Sequence, residues 1–277
     1  MDLFFTTTDD ENQCTNFEII FPPGFFKPFM DIVSTGFCIP GSYDCLFSFN
    51  KNGLYIGKDI EKDDIIRIYL SLFIESTKFI SYKIKKNITL QLEPKTMHGI
   101  CRNIRKTDAV IMSYNGGCLD LIMKNYDEIN HITREEKKSV KVLCFPPKVE
   151  LINDIIFLPS DFNIIPEELE NFKRGVNSKD EMIEICIQKY KIDFNTRSTN
   201  NRPIHVSLTH KLYNNLEIDK SIVYITGRTI AILGKLGNLS KVLNFHRHSD
   251  NNNIIKITSI FDKFDNIGKI ELIVNKL

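Results

Sequence analysis

The same order of elements is written twice along this 277-residue chain, and that recurrence constrains the fold more than any short motif does. In the first half, Phe17-Glu18-Ile19-Ile20-Phe21 reads as a short strand broken by Pro22-Pro23-Gly24. A helix follows, with Phe26, Phe29, Met30 and Val33 at the i, i+3, i+4, i+7 spacing of one apolar face. Pro28 falls in its first turns, where proline is tolerated. Cys45-Leu46-Phe47-Ser48-Phe49 and Leu54-Tyr55-Ile56 flank Asn52-Gly53, a dipeptide suited to the positive φ values of a tight hairpin. Strand-like runs follow over 65–73, 79–84 and 88–92. A second helix begins at Pro94, with Met97, Ile100, Cys101 and Ile104 at the helical spacing. A second hairpin runs over 109–114 and 119–123 around Asn115-Gly116-Gly117, and 140–144 reads as one more strand.

The second half repeats the plan. Ile155-Ile156-Phe157-Leu158-Pro159 parallels the first strand, and a helix follows with Ile165, Leu169, Phe172 and Val176 on one face. A hairpin is predicted over 182–187 and 190–194, strands over 205–208 and 222–225, and a fourth helix bearing Leu236, Leu239 and Leu243. A hairpin over 254–260 and 270–274 closes the chain. The reading is α+β, two domains of about 130 residues, each with two helices backed by antiparallel sheets in repeated βαβββ units. The expected boundaries are a polar, acidic tail over 1–16, a first domain over 17–144, a linker over 145–153 opened by Phe145-Pro146-Pro147-Lys148, and a second domain over 154–277.

Composition narrows the function. Apolar residues make up 42% and charged residues 26%, enough for a packed core. Lys and Arg number 36 against 35 Asp and Glu, so the net charge of +1 excludes a bulk polycation but allows a surface sorted into basic and acidic sides. No run reaches the ~18 apolar residues of a membrane helix, and Met1-Asp2-Leu3-Phe4-Phe5 lacks the features of a secretory signal. The seven cysteines are scattered, with no C-x-x-C pair, as in a reducing intracellular compartment. The sequons at Asn87 and Asn238 are then expected to stay bare.

The outward helix faces are informative. On the second predicted helix, Lys95, His98, Arg102 and Arg105 line one side, Lys106 follows, and no acid interrupts them. A merely solvated face mixes signs in i, i+4 pairs, and this stripe does not. Lys27 on the first helix, Lys173 and Arg174 on the third, and Lys235 and Lys241 on the fourth also point outward, with Arg247 just beyond and Lys83, Lys85 and Lys86 ahead of the second. Asp31, Glu167 and Glu170 lie near the same faces. Such bases would track phosphates without reading sequence. The balancing acids are expected on loops, at Asp59, Glu61, Asp63, Asp64, Glu135 and Glu136.

Catalytic signals are weak. Gly234-x-x-Gly237 reads as a turn at a helix start, and His246-Arg247-His248 as a cap or phosphate contact with no carboxylate partner. No nucleophile–base arrangement, metal site or cofactor motif is expected, and the chain reads as a non-enzyme.

Two halves, each with two basic helices backed by antiparallel strands, resemble the DNA sliding clamps of the proliferating cell nuclear antigen family. The resemblance runs from about Phe17 to Leu277 by element order, most clearly at Gly53-Leu54-Tyr55-Ile56, Lys83-Ile84-Lys85-Lys86-Asn87, 97–112 and Gly268-Lys269-Ile270-Glu271-Leu272-Ile273-Val274. It implies a homotrimeric ring around double-stranded DNA, tethering a DNA polymerase and other replication and repair proteins that carry short hydrophobic and aromatic motifs. A clamp loader is a further implied partner. DNA contacts would fall at Lys27, Lys85, Lys86, Lys95, Arg102, Arg105, Lys106, Lys173, Arg174, Lys235, Lys241 and Arg247. The partner groove would use Ile60, Val149, Leu151, Ile273 and Val274. The subunit contact would pair Val140, Val142 and Cys144 with His205, Val206 and Leu208 of a neighbour. Near-neutral charge, the Phe145-Pro146-Pro147 linker and the lack of an acidic tail suit a divergent viral or organellar member, acting in the nucleus or a cytoplasmic viral replication compartment. The other readings are a monomeric, non-ring processivity or late transcription factor of the same fold, and a structural scaffold that binds no DNA.

Overall fold

A computed structural model describes residues 16–37, 45–62, 65–92, 96, 99–100, 102–105, 107–127, 132–145, 156–160, 162–176, 181–188, 191–196, 204–209 and 220–277. The first half runs β1 (Phe17–Phe21), α1 (Phe26–Gly36), β2 (Cys45–Asn50), β3 (Gly53–Lys62), β4 (Ile66–Glu75), β5 (Ser81–Ile84), β6 (Ile88–Leu92), β7 (Ala109–Asn115), β8 (Cys118–Asp127), β9 (Ile132–Lys141) and β10 (Leu143–Phe145). The second runs β11 (Phe162–Ile164), α2 (Pro166–Lys173), β12 (Met182–Gln188), β13 (Lys191–Thr196), β14 (His205–Thr209), β15 (Ser221–Thr226), α3 (Gly227–Lys235), β16 (Leu243–Arg247), β17 (Ile254–Ile260) and β18 (Gly268–Lys276).

The predicted hairpins form where their turn residues allow. At the β2–β3 turn the Asn50 side chain accepts the Asn52 N–H at 2.8 Å, and Gly53 takes φ +147° with its Cα hydrogen facing the Ile74 carbonyl. A Cβ there would stand 1.9 Å from that oxygen, so only glycine fits. Gly116 and Gly117 supply the positive φ values of the β7–β8 turn.

Strands with period-two apolar patterning arrange into three antiparallel sheets: β5-β1-β7-β8-β9, β14-β13-β12-β15, and a nine-stranded sheet ordered β10-β6-β2-β3-β4-β18-β17-β16-β11. The large sheet joins the halves. β4 of the first half pairs with β18 of the second over nine residues, from Gly268 opposite Ile74 to Lys276 opposite Ile66. Leu70, Leu72, Ile74, Ile270 and Leu272 are buried along that seam. Helices cover the same side. A Cβ on Gly36 would stand 2.7 Å from Leu70 Cδ2 and 3.5 Å from Ile232 Cδ1, so α1 packs tightly over the seam and against α3. One on Gly234 would stand 3.2 Å from the Glu170 Cα, which marks the close approach of α3 to α2.

Several elements differ from the sequence-based expectation. Glu135 and Glu136 are not in a loop but within β9, and Asp59 and Glu61 lie on β3. β9 has no apolar alternation because it pairs only with β8 among the described residues and stands at a sheet edge, where charge is tolerated. The strand expected over 140–144 is split: Val140 and Lys141 close β9, the Val142 N–H bonds the Gly117 carbonyl, and Cys144 belongs to β10. The expected strand at Ile155-Ile156-Phe157-Leu158-Pro159 reduces, among its described residues, to one bridge from Phe157 to His248. The leading strand of the second half is β11 instead. Ile165 is extended and 53% exposed, because Pro166 opens the helix after it. The fourth expected helix is α3, ending at Lys235, so Gly234 lies inside it rather than in a turn. Its Thr229, Ile230 and Ile232 favour strand locally, and packing on α1 and α2 overrides them. Leu236 and Leu239 are buried just beyond it, and Leu243 on β16.

Candidate nucleic-acid interface, subunit edges and partner groove

The predicted basic residues separate into distinct settings. Lys85 and Lys86 are exposed between β5 and β6. Arg102 and Arg105 are exposed beside buried Ile100 and Ile104, an alternation that turns apolar side chains inward and guanidiniums to water. The Arg105 N–H donates to the Asp108 carboxylate at 2.8 Å, and the other Asp108 oxygen accepts from Asn125 at 3.1 Å. This buried carboxylate anchors the segment to β8. Lys95, His98 and Lys106 lie outside the described residues.

Three of the bases on the other helices are engaged with the chain, while Arg174 and Lys241 are exposed. Lys27 Nζ is 3.3 Å from Asp31, one turn away on α1. Lys173 Nζ is 3.4 Å from Glu170 on α2, where Glu167 and Glu168 also sit in the first turn and Arg174 follows the last. Lys235 Nζ donates to Thr35 Oγ1 at 2.6 Å and ties α3 to α1. Lys241 lies past α3, its N–H bonded to Asp262, and Arg247 ends β16. In the His246-Arg247-His248 cluster, read as a cap or phosphate contact, His246 has both ring nitrogens occupied, 3.1 Å from the Leu158 carbonyl and 3.0 Å from Thr258 Oγ1. Arg228 on α3 was missed, because the β-branched run before and after it carries no helical signal.

β9 and β14 each end a sheet with one side unpaired among the described residues, as do β5, β10, β11 and β15. Val140 on β9 is opposite Leu119, whereas Cys144 on β10 is opposite Leu90 of the large sheet. His205, Val206 and Leu208 on β14 face Asn195, Phe194 and Ile192 of β13. β9 carries ion pairs on both faces. On one, Arg134 Nη2 and Lys138 Nζ lie 2.6 and 3.3 Å from the two Glu136 oxygens. On the other, Lys137 pairs with Asp120 at 3.0 Å and Lys124 with Glu135 at 3.2 Å. The hydrogen bonds from Arg134 and Lys138 hold the Glu136 carboxyl below its usual range. Burial alone would raise Asp120, but the Ser139 hydroxyl and Lys137 outweigh it and hold it low. Beside this edge, burial and the neighbouring Cys144 push the Tyr114 hydroxyl up.

An open groove of about 700 Å³ crosses the seam on the side of the large sheet away from the helices. Tyr55, Tyr69, Phe73, Ile260 and Ile273 supply its apolar lining, with Glu271 and Lys269 at its polar edge. The Tyr55 and Tyr69 hydroxyls bond each other at 2.6 Å above Gly57, the one residue small enough to lie beneath them. Of the predicted groove residues, Ile273 lines it, while Ile60 and Val274 are buried and Val149 and Leu151 lie outside the described residues. The tyrosines were legible only as alternate positions on β3 and β4, with nothing to say which face stays open.

No protein-family model and no curated protein matches the sequence. Among solved structures, the proliferating cellular nuclear antigen of Entamoeba histolytica superposes over 95% of this chain and 99% of its own, with a TM-score of 0.68 and 14% identity. The two-domain fold of mostly antiparallel sheets with few helices is therefore the clamp fold of that antigen. No helix among the described residues is long and apolar enough to cross a membrane.

Proposed function

We propose that this chain is a non-enzymatic sliding clamp: copies close head to tail into a trimeric ring around duplex DNA and tether a polymerase and other replication proteins. The observation that carries this reading is the relation between the seam inside the chain and two of its open sheet edges, β9 and β14. In the second half a cross-strand row runs Phe162, Phe245, Ile257, Leu272. In the first half the matching row runs Ile19, Met112, Leu121, Lys138. β9 therefore occupies in the first half the place of β18 in the second. Likewise Phe47, Ile56, Leu72 of the first half match Ile185, Phe194, Val206 of the second, so β14 takes the place of β4. Close packing agrees, since Gly36 lies against Leu70 as Gly175 lies against Ile204. Inside the chain β4 and β18 pair. The equivalent edges, β14 and β9, are at opposite ends, and pairing them between copies repeats the same joint. Such a heterologous contact generates a ring when its rotation closes.

Retention on DNA is then topological, and the bases act through diffuse phosphate contacts that permit sliding. Lys85, Lys86, Arg102, Arg105, Arg174 and Lys241 supply the exposed part of that charge, with Lys95 and Lys106 as further candidates. Partners with hydrophobic and aromatic anchors dock across the seam at Ile273 and the neighbouring tyrosines. The test is solution mass followed by retention on closed-circular against linear DNA. A species of about 96 kDa, three chains of 32.1 kDa, that stays on circles and slides off linear ends supports the clamp. A monomer at every concentration, or equal loss from both DNAs, overturns it.

A further inference from the structure

The correspondence between seam and edge exposes a difference in chemistry. On the helix side of the intrachain seam β18 presents Gly268, Ile270 and Leu272 to Ile74, Leu72 and Leu70, and every one of these residues is buried. On β9 the matching positions are Arg134, Glu136 and Lys138. Their β8 neighbours Leu121 and Met123 are buried, so this charged triplet projects onto the core side of the sheet rather than to the outer surface. Opposite them the register places Leu208, Val206 and Ile204 of the partner subunit, aliphatic residues packed on the core of their own half. Among the described residues, the buried Arg134 Nη1 has no acceptor.

We propose that the joint between copies is ionic where the joint within the chain is apolar, and that this makes the contact of β9 with a second copy of this chain the separable joint of the assembly. The inference rests on the clamp reading above. Its physical basis is desolvation. Closing the joint strips water from an Arg–Glu–Lys ladder and offers it aliphatic neighbours, which give back no hydrogen bonds. Before closure the same inward-pointing charges keep a ten-residue edge from pairing with unrelated strands. The two seams share geometry and differ in adhesion, so the ring parts between chains and never through one.

A dilution series followed by sedimentation tests this on the full chain. Glu136→Ile with Lys138→Leu, which copies the intrachain seam, should tighten association by about tenfold or more. Glu136→Gln leaves two cations without their acid and should loosen it several-fold, which keeps the test open if the apolar pair aggregates. The pairing itself is read separately. A Glu136→Cys, Val206→Cys chain should form an intersubunit crosslink on oxidation, and Glu135→Cys, Val206→Cys, on opposite faces, should not. Crosslinking with the two association shifts supports the proposal. Crosslinking with association unchanged in both ladder variants overturns the ionic joint and leaves the clamp reading standing. Absence of both the crosslink and any self-association overturns the two together.

Discussion

Leu72→Ala tests whether the two halves are one cooperative body. Leu72 is completely buried on β4, between Ile56 of β3 and Ile270 of β18. The truncation removes three carbons, about 2.4 kcal/mol at ~0.8 kcal/mol per methylene. A hydrogen-bonded strand on each side restrains collapse of the gap, which brings the total to about 3–4 kcal/mol, inside the ~3–5 kcal/mol span of such changes. For a chain of this size the melting temperature should fall by roughly 6–15 °C. Because Leu72 sits in a sheet built from both halves, calorimetry should show one transition displaced as a whole. The matching Val206→Ala on half-buried β14 should cost the isolated chain about 1 kcal/mol or less. A loss under about 1 kcal/mol for Leu72→Ala, or two transitions of which only one moves, would refute the shared-sheet reasoning.

Other perturbations address the turns, the edge and the sites. Gly53→Ala must drive a Cβ into the Ile74 carbonyl at φ +147° and should cost at least ~2 kcal/mol in urea unfolding; a neutral result would mean the turn is not built this way. Asp120 is held below its unfolded value, so its contribution is present above the ordinary carboxylate pKa and is lost as pH falls through the lowered one. Asp120→Asn should therefore destabilise at pH 7 and converge with the parent in strong acid, and a constant difference across that window would count against the Lys137 and Ser139 contacts. Arg102→Ala with Arg105→Ala should flatten the salt dependence of DNA affinity by about two in log–log slope, whereas Glu167→Ala should not weaken binding at all. Ile273→Asp should abolish capture of a peptide with hydrophobic and aromatic anchors, read by fluorescence anisotropy, while retention on circular DNA persists.

Much of the fold was legible because local chemistry and tertiary need agree. Asn52-Gly53 and Asn115-Gly116-Gly117 suit tight turns, and Phe17-Glu18-Ile19-Ile20-Phe21, cut off by Pro22-Pro23-Gly24, reads as a short strand. The site was less legible. Arg102 and Arg105 followed from the spacing of Ile100 and Ile104, which sets both faces of one segment at once. Ile273 came from the family resemblance, and Tyr55 and Tyr69 were not found at all, since their strands alternate on both faces and only stacked helices decide which face stays open.

The duplicated order of elements, the turns and the buried stripes of each half belong to the sequence alone, since each is set by neighbours within a few positions. The joining of β4 to β18, the conversion of Ile-Thr-Arg-Glu-Glu-Lys-Lys-Ser-Val-Lys into an edge strand, and the helix over Gly227–Lys235 belong to the tertiary structure. The physical reason is common to all three. Each conformation is unremarkable or disfavoured locally and is stabilised by surfaces more than a hundred residues away or across a sheet, through burial and ladder hydrogen bonds that no short window of sequence contains.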